Sequence, residues 1–208
     1  STNLIEKGLV IDRLLESVIA DPKIKLDDLL IGDKNALMVG TRVLGYGKDY
    51  QVTIKDPDTT LDVEEVIDLT TLEHKKIDYK KFEDGNKFEF TLPTSKKVIE
   101  FKLLTHKDEK EIDAEVLAYK KLSQATGVDN TLTTRLKKQI ISVDGETEQS
   151  KINAFVDNQF LALDTRAFRD YVDSLSPDIE FEYQYTSQIG EPHTVNVPMG
   201  VRFFWPES

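Results

Sequence analysis

The residue types that most often carry chemistry are thinly spread in this chain. His74, His106 and His193 each stand alone in a polar stretch, and no second histidine sits at metal-ligand spacing. A surface or structural histidine is the simpler reading of each. Asp49 with Asp56-Pro57-Asp58 suggests a cation loop, but the graded spacing and closing glutamate of a calcium hand are missing, and a plain turn accounts for the run. Gly45-Tyr46-Gly47 lacks a third glycine and follows a helical pattern rather than a strand, so it is no dinucleotide fingerprint. There is no P-loop and no nucleophile elbow, and Ser176 and Ser187 have no evident base or orienting acid. The chain has no cysteine, which excludes disulfides, thiolate catalysis and cysteine-type zinc sites together. Paired acids such as Asp27-Asp28 and Glu64-Glu65 read as solvated faces. The expectation is a protein with no catalytic residues, no cofactor and no metal.

Composition narrows the partners. A net charge of -11 argues against the nucleic-acid backbone and against anionic membranes, both of which need clustered Lys and Arg. Lys80-Lys81, Lys96-Lys97 and Lys137-Lys138 are short and scattered, and make no such footprint. No apolar run approaches the ~20 residues of a membrane span, and charges interrupt the apolar positions of the opening segment, so it does not read as a secretory signal. With 39% hydrophobic and 9% aromatic residues the chain can bury a core. What remains is recognition of other proteins.

The elements that would carry such surfaces alternate between helices and hairpins. Leu4, Leu9, Ile11, Leu14, Leu15, Val18 and Ile19 predict an amphipathic helix over 3–20, stopped by Asp21-Pro22. Residues 1–24 then form a terminal helix and linker, and 25–208 a single domain. A second helical stretch starts at Leu26; Gly32-Asp33 is expected to break it, with Asp33 capping a new helix over 34–44 that ends at Gly45 and Gly47. Tyr50, Val52 and Ile54 alternate, turn through 56–60, and return along Leu61, Val63, Val66 and Leu69. Phe88, Phe90, Leu92 and Val98, Phe101, Leu103 suggest a second hairpin across Pro93-Thr94-Ser95. The hairpin region thus covers about 48–104.

Thr105 with Asp108 forms an approximate capping box before the next helix, whose apolar side is Ile112, Val116, Leu117, Tyr119 and Leu122, with Gly127 closing the neighbourhood. Further helices are expected over 132–143, 148–160 and 165–175, with Asp164 capping the last. Ile179, Phe181, Tyr183 and Tyr185 open a final hairpin over 179–205 that closes through Val195 and Val197 to Phe203-Phe204-Trp205. Helices and hairpins without regular βαβ alternation make the fold class α+β.

Four segments carry a resemblance. They are Leu29-Leu-Ile-Gly-Asp-Lys-Asn-Ala-Leu-Met-Val-Gly-Thr-Arg-Val-Leu-Gly-Tyr-Gly-Lys-Asp-Tyr50, Asp164-Thr-Arg166 with Arg169-Asp-Tyr171, Pro177-Asp-Ile-Glu-Phe, and Val197-Pro-Met-Gly-Val-Arg-Phe-Phe-Trp-Pro206. Together they resemble the T4-type phage baseplate protein family, whose members are described as baseplate hub subunits or hub-assembly chaperones. The resemblance covers about 27–206. It implies a non-enzymatic role in assembling the central hub of a contractile tail's baseplate, with other hub and tail proteins as partners and self-association open. The location it implies is the host cytoplasm during tail assembly, or the virion baseplate. A permanent structural subunit and, more remotely, an unrecognised small enzyme are the alternative readings.

The same resemblance implies a departure. Many relatives carry a Cys-x-x-Cys pair in the first hairpin turn and another in the last; the matching turns here read Asp56-Pro-Asp58-Thr59 and Thr186-Ser-Gln-Ile-Gly190. A tetrahedral zinc site needs about four such ligands, so this is a zinc-free version. The turns at 55–60 and 186–191 are still expected to be neighbours, held by hairpin pairing and packing. For contact with partners, interfaces favour aromatics and arginine. The candidates are Phe203, Phe204 and Trp205 near the end of the chain, and Arg166, Arg169 and Tyr171 on one helix. The simpler alternatives are that the aromatics plug the chain's own core and that the arginines form internal ion pairs.

Overall fold

In the computed structural model, residues 2–122, 130–199, 203 and 204 are described. Along the chain run α1 (Thr2–Val18), α2 (Ile31–Tyr46), β1 (Asp49–Lys55), β2 (Asp62–Asp68), β3 (Phe88–Thr91), β4 (Val98–Phe101), α3 (His106–Leu122), α4 (Thr131–Gln139), β5 (Ile140–Val143), α5 (Gln149–Asn158), α6 (Ala162–Leu175), β6 (Glu182–Thr186) and β7 (Pro192–Asn196). The named strands pair antiparallel as β1-β2, β3-β4-β5 and β6-β7, an α+β fold. Contacts divide the chain into two compact units, where the sequence reading takes 25–208 as one domain. One unit comprises residues 1–23, 32–75 and 177–208; the other comprises 24–31 and 76–176.

The first unit is built on the β1-β2 and β6-β7 hairpins. The alternation of Tyr50, Val52 and Ile54 buries one face of β1. Those residues meet Ile67, Leu69, Tyr185, Val197, Phe203 and Phe204 in one apolar cluster. Register matters here: pairing of Tyr50 with Ile67 turns Val63, Glu65 and Ile67 inward, so Val66 is 58% exposed rather than part of the return face. From α1, Leu15 is fully buried and Ile11 packs on the cluster, while Leu9, Leu14 and Val18 stay exposed. At the end of α2, Gly47 takes a left-handed φ of 81° and its carbonyl accepts from Arg42 Nη1 at 3.1 Å. The guanidinium also donates to the Asp49 carbonyl and lies over the Tyr46 and Tyr50 rings, so one buried arginine joins the helix end to β1.

The expected break at Gly32-Asp33 does not occur. Helix α2 runs through both residues, and Asp33 lies in its first turn rather than capping a new helix. Gly32 serves packing: a Cβ built there would stand 1.6 Å from the Pro177 carbonyl oxygen. The missing side chain admits the backbone of the segment that leads into β6.

The second unit packs β3-β4-β5 against α4, α5 and α6. Its core holds Phe88, Leu92, Ile99, Phe101, Leu136, Ile140, Ile152, Phe155 and Phe168. Edge-on contact between the Phe101 and Phe168 rings, with centroids 4.9 Å apart, joins sheet to helix. The helix expected over 132–143 ends at Gln139, and residues 140–143 become the third strand instead. Ile140, Ile141 and Val143 are β-branched, and the run fits a pleated surface better than a last helical turn. The capping box before α3 forms as expected: Thr105 N–H donates to Asp108 Oδ2 at 3.0 Å, and Asp108 N–H donates to Thr105 Oγ1 at 3.3 Å. Gly127 lies outside the described residues.

Candidate functional site

Two buried carboxylates hold the frame around the candidate surfaces. Asp56 Oδ1 accepts from the amides of Asp58 (3.0 Å) and Thr59 (2.8 Å), closing the β1-β2 turn. Its Oδ2 accepts from the Tyr185 hydroxyl and the Gln188 amide, each at 2.8 Å. Asp58 Oδ2 also lies 2.9 Å from His193 Nε2. The turns at 55–60 and 186–191 are therefore neighbours, as the sequence reading expects, joined by a carboxylate. Burial pushes the Asp56 carboxyl up, but the donors from Gln188, Thr59 and Tyr185 outweigh it and hold it well below the usual carboxylate range. Its partner responds in the opposite sense: the bond to Asp56, with burial, raises the Tyr185 phenol to about 12. Among the described residues, no group of three or more His, Cys, Asp or Glu is placed to hold a metal ion.

Asp164 does the corresponding work in the second unit. It is fully buried and accepts from the amides of Thr94 (2.7 Å) and Ser95 (2.9 Å) in the β3-β4 turn. The expectation that it caps its own helix is corrected: α6 begins at Ala162 after Leu161, and Asp164 sits inside its first turn, facing a hairpin 70 residues away in sequence. Burial again pushes its carboxyl up, and the Ser95 and Thr94 donors bring it net below the usual value.

With α6 fixed in this way, its outer side meets α4 across an open groove of about 830 Å³. Apolar lining comes from Leu104, Leu132, Leu136 and Val172, and cationic lining from Arg135, Arg166 and Arg169. Arg135 is committed to a two-pronged pair with Glu109, one contact being 2.6 Å. Arg166 and Arg169 are exposed, stand three residues apart on one helix face, and form no ion pair among the described residues. Asp170 and Asp173 share the groove and moderate its positive charge.

The structure separates the other candidates from this pair. Tyr171 lies half-buried against the sheet, stacked on Phe90 with centroids 4.7 Å apart and edge-on to Phe101 at 6.0 Å. The Lys81 ammonium lies 5.4 Å from the Tyr171 ring centre. Phe203 and Phe204 are 1% and 4% exposed and plug the core of the first unit, with Phe203 edge-on to Tyr50 at 5.1 Å. Trp205 lies outside the described residues. Sequence reading missed Arg135, Leu132 and Val172 as groove neighbours. The available signal was amphipathic spacing on α4 and α6, which gives each helix a face without saying which faces meet.

Residues 3–205 match the model of the family described as T4 bacteriophage base plate protein. No curated protein and no solved structure matches the chain.

Proposed function

As the chain belongs to the T4 bacteriophage base plate protein family, matched over residues 3–205, we propose that it acts without catalysis as an assembly factor for the baseplate's central hub. Membership itself supports the coarser statement, a structural or assembly role in the phage baseplate. The observation that carries the finer reading is the arginine-rimmed groove. An acidic chain of net charge -11 leaves Arg166 and Arg169 exposed, with no ion pair among the described residues, beside Leu132, Leu136 and Val172. Arginine at the edge of an apolar floor suits a protein interface, where planar guanidinium groups pair with carboxylates. The partner in this reading is another hub or tail protein that offers acidic side chains.

The test is co-purification of a tagged copy from infected cells, paired with mass spectrometry of finished particles. Recovery with hub proteins and absence from particles supports the assembly factor. A fixed stoichiometry in particles replaces it with a permanent subunit, and recovery without any tail protein contradicts both.

A further inference from the structure

The β6-β7 hairpin leaves one strand edge open. In β6, residues 181, 183, 185 and 187 face β7: the Val197 amide donates to the Phe181 carbonyl and the Ser187 amide to the Glu191 carbonyl, both at 2.8 Å. Strand alternation then turns the backbone groups of Glu182, Gln184 and Thr186 to the opposite side. Just before β6 that side is paired, because Glu180 N–H donates to the Glu73 carbonyl at 2.8 Å and Lys75 N–H to the Asp178 carbonyl at 2.9 Å. Continuing this ladder would place Thr71 opposite Glu182 and Leu69 opposite Gln184. The chain instead turns away through the 3₁₀ helix Leu69–Thr71, with Leu69 buried in the core. A cleft of about 520 Å³ opens there, lined among others by Val66, Asp68, Thr71, Glu73, Glu182 and Gln184. The backbone groups of Glu182, Gln184 and Thr186 have no partner among the described residues.

The edge is also rich in acidic side chains. Glu73 and Glu180 stand directly opposite each other across the short ladder, an arrangement that is unfavourable by itself. Glu73, Glu180 and Glu182 form no ion pair among the described residues, whereas Asp68 is already committed to Lys48 at 2.5 Å and to the Thr70 amide. Natural edges are commonly blunted by lysine, proline or a bulge; β6 has none of these.

We propose that the β6 edge receives an extended segment of a partner protein, bearing Lys or Arg at alternate positions, as an added antiparallel strand. The main-chain groups of residues 182–186 supply the ladder, and the facing glutamates select cationic side chains. Five residues of strand, roughly 17 Å, span the open stretch. This surface is independent of the arginine-rimmed groove.

The probes are two synthetic six-residue peptides, one alternating Lys and Val and the other Glu and Val, titrated into the full chain. Amide exchange is followed by NMR. The Lys-Val peptide should slow exchange at Glu182, Gln184 and Thr186 by at least about tenfold, and the Glu-Val peptide should not. Gln184→Pro removes one outward N–H without touching the β7 ladder and should abolish the effect. The double variant Glu180→Lys/Glu182→Lys, which keeps every backbone donor, should abolish it as well. Equal protection by both peptides, or protection by neither, overturns the proposal. Concentration-dependent protection of these amides without peptide also overturns it, by assigning the edge to a second copy.

Discussion

Each unit is tied together by a buried aspartate, and the two aspartates work differently. Asp56 collects four donors, two from its own turn, one from Tyr185 near the end of β6 and one from Gln188 in the turn that follows. Asp164 collects two, both from a hairpin turn far away in sequence, and none from its own helix. The first clasp is half local and joins turn to turn. The second is wholly non-local and joins helix to turn. Buried carboxylates persist only where their lone pairs are met by donors. The donor count therefore ranks the two clasps, and the sequence distance of the donors decides whether either is visible in the sequence.

This ranking can be broken by experiment. Asp56→Ala strands four donors on two hairpins, and buried unpaired donors cost about 1–3 kcal/mol each. Thermal unfolding should move down by on the order of 10 °C. Asp164→Ala strands two amides and should lower the midpoint by about half as much. The reverse order would show that donor count does not set the strength of a clasp. Tyr185→Phe removes one donor from Asp56 and leaves the ring in the core, so it should cost about 3 °C.

The pH dependence sharpens the same contrast. Both carboxyls lie below their usual range in the folded chain, against an unfolded value near about 3.9. Their contribution is complete above the unfolded value and is lost as pH falls through the folded one. The stability gap between the wild type and Asp56→Asn should therefore be constant from neutral pH to about pH 5 and narrow below about pH 4. Denaturant titrations at each pH check this, and a gap that widens in acid contradicts it.

Legibility followed the same division. The alternation in β1, the capping box before α3 and the C-terminal hairpin were readable because each pattern is local and repeats within a few residues. Ile140–Val143 was misread because four residues carry too little periodicity to separate the end of a helix from a strand. Gly32 suggested a break because glycine has low helix propensity, yet Pro177, which lies far along the chain, explains its presence. Asp164 was assigned to its nearest helix for want of any mark pointing to Thr94 and Ser95. At the candidate site, the arginine pair was legible on one helix face. The apolar floor was not, because it needs α4 and α6 to be brought together by Asp164 and the Phe101-Phe168 contact.

Arg166 and Arg169 complete the comparison as side chains that should contribute little to the fold. The double variant Arg166→Glu/Arg169→Glu should unfold within about 2 °C of the wild type, since exposed charges on a helix surface carry little stability. The most direct measurement is quantitative recovery of tail proteins by tagged wild type and by this double variant from infected cells. A hub or tail protein recovered with the wild type should be lost, by at least about tenfold, with the equally stable variant. Equal recovery by both would contradict the assignment of the groove as the contact surface.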